Sequence, residues 1–254
     1  MTISVVTAVY NRADTIGASL QSLAAQDYAN VEHVVQDGGS SDGTLDILRG
    51  WDSGPKISLQ SAADGGIYDA INKGIARATG DVIGLLHSDD ELAGRGVLSR
   101  VAQAFEVPTV MAVYGDLQYV AADGSGRVLR HWTSGEFSPQ KLRRGWMPPH
   151  PTLYMRASVF ADQGSYDTSY RIAADYEAML RWFGRGGLRP AYIPEVLVRM
   201  RVGGESNRSV KQIITKSRED LRALRSTGTG GIGALAWKNI SKLPQFFNKS
   251  SAGT

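Results

Sequence analysis

The strongest constraint on the fold is an alternation of two hydrophobic periods over the first hundred residues. Short β-branched runs alternate with segments whose apolar residues recur at helical spacing. Strands are predicted at 3–9, 31–36, 57–61 and from residue 82, and helices at 15–25, 44–49 and 67–78. Such an alternation is typical of an α/β fold, in which helices flank a mostly parallel, Rossmann-like sheet.

The second half of the chain has a less regular pattern. Strands are predicted at 110–120, 128–132, 192–193 and 197–201, and helices at 174–183 and 210–224. A glycine-rich break at 228–233 precedes a last segment, 234–247, in which aromatic residues alternate with lysines. The sequence therefore predicts a catalytic domain over 1–207 and a basic helical extension over 208–254.

The composition places the chain among globular proteins. Of its 254 residues 42% are apolar and 21% are charged, and none is cysteine. The lack of cysteine excludes disulfides, thiolate metal sites and a cysteine nucleophile. No apolar run approaches the roughly 20 residues of a bilayer span, and the N-terminus has no signal-peptide pattern. A cytoplasmic location is expected.

The charge is unevenly distributed along the chain. Residues 208–254 hold nine Lys or Arg against two acids, a net +7, so the other residues carry −4 of the total +3. This profile does not favour a nucleic-acid partner. It predicts peripheral contact of the extension with anionic headgroups at the inner face of the membrane. The alternatives are a helix packed across the catalytic domain and a dimer contact.

Two adjacent carboxylates follow the fourth predicted strand. Asp89 and Asp90 come directly after the apolar run that begins at Val82. The carboxyl edge of an open α/β sheet is where ligands bind. Neighbouring carboxylates repel each other unless a cation joins them, and oxygen ligands suit Mg²⁺ or Mn²⁺. The alternative is an Asp-Asp turn that caps the helix after it.

The ends of the first two strands also carry polar residues. Tyr10, Asn11 and Arg12 follow the first strand, where a dinucleotide-binding unit would have a glycine fingerprint, so an NAD enzyme is disfavoured. Asp37 ends the second strand, where its carboxylate could accept from a base N–H or from ribose hydroxyls. Asp42, in the loop after it, is better explained as the N-cap of the next helix.

Five segments in this order resemble glycosyltransferase family 2. They are TAVYN at 7–11, DGGSSDGT at 37–44, DGGIYDAINKG at 64–74, ATGD at 78–81 and SDD at 88–90. The resemblance continues more thinly at 150–152, 174–177 and 203–206 and stops near residue 207. It implies a GT-A fold and an inverting enzyme of bacterial polysaccharide or glycolipid synthesis.

The resemblance also implies roles for individual residues. Asp90, with Asp89, would bind Mn²⁺ or Mg²⁺, and Asp175 would be the catalytic base. The residues implied to contact the nucleotide or the donor are Thr7, Val9, Asn11, Asp37, Asp64, Tyr68, Asn72, Ser88, Asp89 and His150. The partners implied are a nucleotide-sugar donor, most commonly a UDP-sugar, and a saccharide or glycolipid acceptor.

Some of these residues have competing explanations. Asp175 begins a predicted helix, where an acid also stabilises the helix dipole. Glu177 is a second acid, but a regular helix turns it some 200° away from Asp175. His150 lies among prolines that fix its direction towards the leaving diphosphate or the acceptor. Lys73 could pair with phosphate or lie on the surface.

The predicted activity is metal-dependent, inverting transfer of a sugar from a nucleoside-diphosphate donor to an acceptor hydroxyl in cell-surface glycan synthesis. A cation would neutralise the leaving phosphate, and a carboxylate would take the acceptor proton. The alternatives are a nucleotidyltransferase, although residues 10–14 lack its glycine-rich basic loop, and a non-catalytic sugar-nucleotide-binding module.

Overall fold

The computed structural model describes residues 1–202 and 210–240. The strands are β1 Ile3–Val9, β2 Val31–Asp37, β3 Ile57–Ser61, β4 Val82–Leu85, β5 Asp90–Leu92, β6 Ala112–Ala121, β7 Val128–Trp132, β8 Tyr154–Arg156 and β9 Ala191–Val202. The helices are α1 Ile16–Ala24, α2 Thr44–Gly50, α3 Ile67–Arg77, α4 Val97–Ala104, α5 Pro139–Arg143, α6 Ala157–Gln163, α7 Ala174–Met179, α8 Val210–Ser226 and α9 Ile232–Ile240.

All the described strands belong to one mixed sheet. Its order is β3-β2-β1-β4-β8-β6-β9-β5, and β7 pairs with β6 outside this path. Strands β1 to β4 are parallel to one another, whereas β8 runs antiparallel to both β4 and β6. The carboxyl ends of the four parallel strands therefore meet at one edge of the sheet.

Strand β1 lies at the centre of the core. All seven of its residues are buried, and successive side chains point to opposite faces of the sheet. Val6 packs with Ile71 and Ile75 of α3 on one face, whereas Val5 packs with Leu98 of α4 on the other. A strand covered on both faces has no polar side, which explains its continuous β-branched sequence.

Helix α3 approaches β1 closely, and Gly74 permits this contact. A Cβ at Gly74 would lie 2.4 Å from Cγ1 of Val6. The short distance brings the N-terminus of α3, and with it Tyr68, close to the carboxyl edge of the sheet.

The short and irregular elements differ from the sequence predictions. A three-residue strand, β5, follows Asp89 where a capped helix was the alternative, and β8 is equally short. Residues 191–202 form one strand rather than two, because its pairing with β6 continues across Pro194 through two register shifts. The predicted helix over 174–183 is α7 continued by the π-helical turn Leu180–Arg185.

The first helix of the C-terminal extension packs on the catalytic core. Ala223 and Leu224 of α8 are fully buried in the cluster that contains Ala174 and Met179 of α7. Within the described residues, no helix combines the length and hydrophobicity needed to cross a bilayer. The resemblance at 203–206 and the end of the predicted segment 234–247 lie outside the described residues.

Candidate active site

The carboxyl ends of β1 to β4 carry most of the residues implied by the resemblance. Asp37 is the last residue of β2, Asp64 follows β3, and Ser88 to Asp90 follow β4. Parallel pairing brings these ends together although they are widely separated in sequence. They form one polar edge, which faces the N-termini of α3 and α7.

Asp37 is buried and fully engaged by its own loop. One carboxylate oxygen accepts from the backbone N–H groups of Gly39 and Ser40 at 2.9 and 3.0 Å and from the hydroxyl of Ser61 at 2.6 Å. The other accepts from the hydroxyl of Ser40 at 2.5 Å. Burial raises the pKa of Asp37, but these hydrogen bonds outweigh it and hold the pKa below its usual value. The carboxylate therefore fixes the loop, and its contact with a base stays a prediction.

The three residues implied on β1 and directly after it support this loop or the core. Thr7 is buried, and its hydroxyl lies 3.1 Å from Nε2 of His33. The side chain of Val9 is buried in the core. Asn11, in the left-handed region with φ 49°, donates its backbone N–H to the Ser40 hydroxyl at 2.8 Å and accepts from the backbone N–H of Ser41. A nucleotide contact through these side chains stays a prediction.

Asp64 and Tyr10 line an open part of the same edge. Oδ1 of Asp64 accepts from the backbone N–H of Gly66 at 2.8 Å, and Oδ2 would lie 2.6 Å from a Cβ at Gly38. The ring of Tyr10 borders the same space and is 59% exposed. A flat exposed ring beside a carboxylate can bind a nucleobase by stacking and hydrogen bonding.

The carboxylate of Asp90 is buried at this edge without hydrogen bonds to its oxygens from the described part of the chain. It is 1% exposed, and neither carboxylate oxygen has a hydrogen-bond partner among the described residues. Burial raises the pKa of Asp90 well above its usual value; Asp89 adds to the rise, and Arg201 offsets part of it. Asp89 is half-buried and Ser88 is buried beside it.

The chemistry of this pair fits a divalent cation. A buried carboxylate without hydrogen bonds is costly unless a cation binds it, and carboxylate oxygens are ligands of Mg²⁺ and Mn²⁺. In residues 1–202 and 210–240 no three acidic or histidine side chains cluster to hold a metal unaided. Such an ion would therefore need further oxygen ligands, which a diphosphate can supply.

A chain of contacts links Asp175 to the Asp89–Asp90 pair. The hydroxyl of Tyr68 donates to Oδ1 of Asp175 at 3.3 Å, and the Tyr68 ring lies 5.7 Å from that of Tyr166. The Tyr166 hydroxyl shares a 2.9 Å hydrogen bond with Nε2 of His150, whose ring is 5.5 Å from that of His87. His87 is two residues before Asp89, so these contacts connect the base candidate with the loop that carries the metal candidates; the region that these side chains border is called the cleft below.

Both histidines of the cleft are neutral at pH 7. Burial lowers the pKa of His150 to about 4, against the opposing charge of Asp175. Burial also lowers the pKa of His87, although the charges of Asp89 and Asp175 oppose this. The carboxylates of Asp89 and Asp175 therefore both lie close enough to the His87 imidazole to interact with it electrostatically. A neutral imidazole offers one donor and one acceptor to a bound ligand.

The remaining polar side chains around the cleft serve its architecture. The amide of Asn72 donates to the carbonyl of Tyr166 at 2.8 Å and accepts from its N–H at 3.0 Å. Lys73 pairs with Asp69 at 2.9 Å. Buried Glu177 pairs with Arg181 at 3.0 Å. Asn72 therefore fixes Tyr166, and its direct contact with a donor stays a prediction.

Sequence reasoning assigned no role to three residues at this site. Tyr10, Tyr166 and Glu219 lie in unrelated parts of the chain, and only an exposed aromatic at a strand end, as for Tyr10, was a detectable signal. Glu219 on α8 accepts from the backbone N–H groups of residues 171–173, just before α7. No local pattern connects residues so far apart.

Solved structures define the class of the fold. The structure superposes on Staphylococcus aureus TarS 1-349 in complex with UDP-GlcNAc with a TM-score of 0.70, at 19% identity, over 89% of this chain and 65% of that one. It also superposes on the mannosyltransferase PcManGT from Pyrobaculum calidifontis, in complex with GDP-Man and Mn²⁺, with a TM-score of 0.67 at 19% identity, over 96% of this chain and 71% of that one. The fold is GT-A.

Sequence comparison then establishes the family. The Glycosyl transferase family 2 model matches residues 4–159, and the chain belongs to that family of enzymes. It is 37% identical to an uncharacterized glycosyltransferase of Mycobacterium tuberculosis over 71% of this chain and 68% of that one. It is 31% identical to a PGL/p-HBAD biosynthesis glycosyltransferase of Mycobacterium bovis over 84% of this chain and 82% of that one.

Proposed function

We propose that this chain transfers a sugar, with inversion, from a nucleoside-diphosphate donor to a hydroxyl of a saccharide or glycolipid acceptor. The observation that carries the proposal is the contact chain from Asp175 through Tyr68, Tyr166 and His150 to His87. This contact chain supports the proposal because it connects a carboxylate with the loop that carries the Asp89–Asp90 pair. That arrangement suits a reaction in which a base and a leaving diphosphate act on opposite faces of a sugar.

Each residue of the site would have a separate role in the reaction. Asp175 accepts the proton of the acceptor hydroxyl while that oxygen bonds to the anomeric carbon. The bond from that carbon to the diphosphate oxygen breaks in the same step, and the nucleoside diphosphate leaves. Asp90 and Asp89 would hold a divalent cation, which offsets the charge that develops on the leaving diphosphate. No covalent intermediate is required.

Similar proteins support the substrate class. The two superposed structures are complexes with UDP-GlcNAc and with GDP-Man and Mn²⁺, and the Mycobacterium bovis relative is named for PGL/p-HBAD biosynthesis. By analogy the donor here is a nucleoside-diphosphate sugar, for which a UDP-sugar is our first candidate. Synthesis of a cell-envelope glycan is the process we assign.

A thermal-shift panel tests donor and metal together. UDP, GDP, dTDP, CDP and NAD⁺ would each be added with Mn²⁺ or with EDTA. A ligand at a hundredfold excess over its Kd stabilises the native state by about 2.7 kcal/mol, which raises Tm measurably. We expect one nucleoside diphosphate to raise Tm with Mn²⁺ and to lose that effect in EDTA. A shift with NAD⁺ alone would contradict the proposal.

Transfer is tested with the sugar donors of the nucleotide identified in this way. Asp175→Asn should bind the nucleotide normally but release the diphosphate about 10²–10⁴-fold more slowly in the presence of acceptor, because a general base contributes that much. Asp46→Asn, at an exposed acid in the first turn of α2, is the matched control and should retain kcat. Release of pyrophosphate from a nucleoside triphosphate would instead identify a nucleotidyltransferase.

We also assign peripheral membrane contact to the C-terminal extension. Ile232 and Trp237 of α9 are 66% and 52% exposed, and the guanidinium of Arg144 lies 5.6 Å from the centre of the Trp237 ring. On α8, an open depression of about 500 Å³ is lined by Arg218, Leu221, Arg222, Arg225 and Ser226. Exposed apolar residues beside arginines suit a surface of anionic lipid headgroups.

Vesicle sedimentation tests this assignment. The full chain should sediment with phosphatidylglycerol vesicles but not with phosphatidylcholine vesicles, and Trp237→Ser should weaken that binding. Val107→Ser is the matched control, since Val107 is 52% exposed on another part of the surface. Equal sedimentation of both variants with the parent protein would contradict membrane contact through α9.

A further inference from the structure

Helix α7, which carries Asp175, begins without a capping side chain at its N-cap. Its N-cap residue is Ala173, which supplies no side-chain cap, and the side chain that bonds to the first turn is that of Asp175 itself, whose Oδ1 accepts from the backbone N–H of Tyr176 at 2.8 Å. The first N–H groups of any helix lack partners within the helix and need them from elsewhere. The residues that precede Asp175 therefore supply no side-chain cap to the base-bearing helix.

A carboxylate from α8 binds the segment directly before the helix. Oε2 of Glu219 accepts from the backbone N–H groups of Ile172 and Ala173 at 2.8 and 2.9 Å, and Oε1 accepts from that of Arg171 at 3.1 Å. One carboxylate thus accepts three hydrogen bonds from residues 171–173. The contact is strong, because hydrogen bonds to a charged acceptor are about twice as strong as neutral ones. A negative charge here also stabilises the helix dipole.

The same short segment is held from the opposite side. The hydroxyl of Tyr68 donates to the carbonyl of Ile172 at 3.0 Å, while it also contacts Asp175. The peptide before α7 is therefore fixed through its N–H groups by α8 and through a carbonyl by α3. Burial of Ala223 and Leu224 against the core keeps α8 in register with this contact.

We propose that Glu219 is a positioning residue for the proposed transfer. By anchoring residues 171–173, Glu219 fixes the orientation of the Asp175 carboxylate. The inference rests on the proposed function. It makes α8 part of the catalytic apparatus, so the extension has a role in the reaction besides any contact with a membrane. Glu219 touches no reacting atom, and its effect passes through the backbone.

The test compares Glu219→Gln and Glu219→Ala in the full chain. Glutamine keeps one oxygen acceptor and alanine keeps none, so the loss of kcat should be graded. We expect kcat to fall by about tenfold in the Gln variant and by about a hundredfold in the Ala variant. The donor KM should change less than about twofold, because the orientation of the Asp175 carboxylate affects the transition state and not the binding of the donor.

Hydrogen exchange gives a readout that does not depend on activity. Exchange in a peptide that covers 171–177 should be at least about fivefold faster in the Ala variant, which is the effect of losing a helix cap. Glu32→Gln is the matched control. Glu32 accepts from the backbone N–H of Thr79 at 2.8 Å at the opposite edge of the sheet, and its loss should change neither kcat nor exchange at 171–177.

The outcomes separate this inference from the proposed function. If the parent protein transfers no sugar from any donor, the proposed function fails, whereas faster exchange confined to 171–177 still supports the anchoring. An unchanged kcat in both Glu219 variants would overturn the inference while leaving the proposed function intact. If the Ala variant does not fold, the Gln variant and its exchange pattern decide.

Discussion

The hydroxyl of Tyr68 lies 3.3 Å from Oδ1 of Asp175, across 107 residues of sequence. The same hydroxyl is 3.0 Å from the carbonyl oxygen of Ile172, so a single proton is shared between two acceptors on the base-bearing segment. Burial raises the pKa of Tyr68, and the negative charge of Asp175 raises it further. Tyr68 therefore remains a protonated donor at any working pH.

Tyr68→Phe should lower kcat by about tenfold and leave the donor KM nearly unchanged. The substitution removes a hydrogen bond to a charged acceptor, worth about 1.5–3 kcal/mol, but keeps the ring. Steady-state kinetics of diphosphate release measures it. Tyr28→Phe is the control, because the Tyr28 hydroxyl also donates to a backbone carbonyl, that of Met1, at a distance from the cleft. Equal kcat in the two variants would exclude a positioning role for Tyr68.

Asp90→Asn should abolish metal-dependent transfer and, in EDTA, stabilise the fold. Activity should fall by about a thousandfold, because a cation stabilises the leaving charge by several kcal/mol. The free energy of unfolding in EDTA at neutral pH should rise by about 1–3 kcal/mol, because the burial that raises the pKa of Asp90 disfavours the folded state above the ordinary pKa of a carboxyl group, and asparagine does not ionise. Steady-state kinetics with Mn²⁺ measures the loss of activity, and chemical denaturation in EDTA measures the change in stability.

The neighbouring acid is the control for that experiment. Asp89 is half-buried, so Asp89→Asn should give a much smaller gain in stability in EDTA than Asp90→Asn. Destabilisation of the Asp90→Asn variant in EDTA would show that the carboxylate is compensated within the protein and would argue against a cation there.

Stability should fall as the pH is lowered from about 6.5 to about 4, in part because of His33. Burial lowers the pKa of His33 from 6.5 to about 4. The unfolded chain therefore binds a proton in this window before the folded chain does, which favours unfolding as the pH falls. Below pH 4 the lowered pKa of His33 reduces the free energy of unfolding by its full amount, about 3 kcal/mol.

Urea unfolding at a series of pH values measures this slope. His33→Gln should flatten it between pH 6.5 and 4. His131→Gln, at a position where the side chain is 39% exposed, should leave the contribution of His33 intact. An unchanged slope in the His33 variant would mean that other groups cause the pH dependence.

Gly84→Ala should destabilise the fold, whereas Gly17→Ala should not. A Cβ at Gly84 would lie 2.2 Å from the ring of Tyr154 on the neighbouring strand, and overpacking of this kind costs about 1–3 kcal/mol or more. A Cβ at Gly17 in α1 meets nothing within 4 Å, so alanine should add about 0.5–1 kcal/mol there. Thermal unfolding of the two variants should shift Tm in opposite directions.

Local sequence patterns sufficed for the regular elements. Strands β1 to β4 and helices α1 to α3 lie within a few residues of their predicted bounds, because each is long enough to show its period. The three-residue strands β5 and β8 are too short to show one. Strand β9 was divided in two because Pro194 interrupts its pattern, whereas pairing with β6 holds it together.

The sequence by itself determined the order of strands and helices, the family motifs and the kinds of side chain at the strand ends. Only the tertiary structure decided which of those groups meet. It left the buried oxygens of Asp90 without partners among the described residues, engaged Asp37 in its own loop, and brought Glu219 to the segment before Asp175. The physical reason is the separation in sequence of the interacting residues. Hydrophobic periodicity depends on neighbours along the chain. Burial, charge compensation and the anchoring of α7 depend on contacts such as those between residues 46 and 107 positions apart.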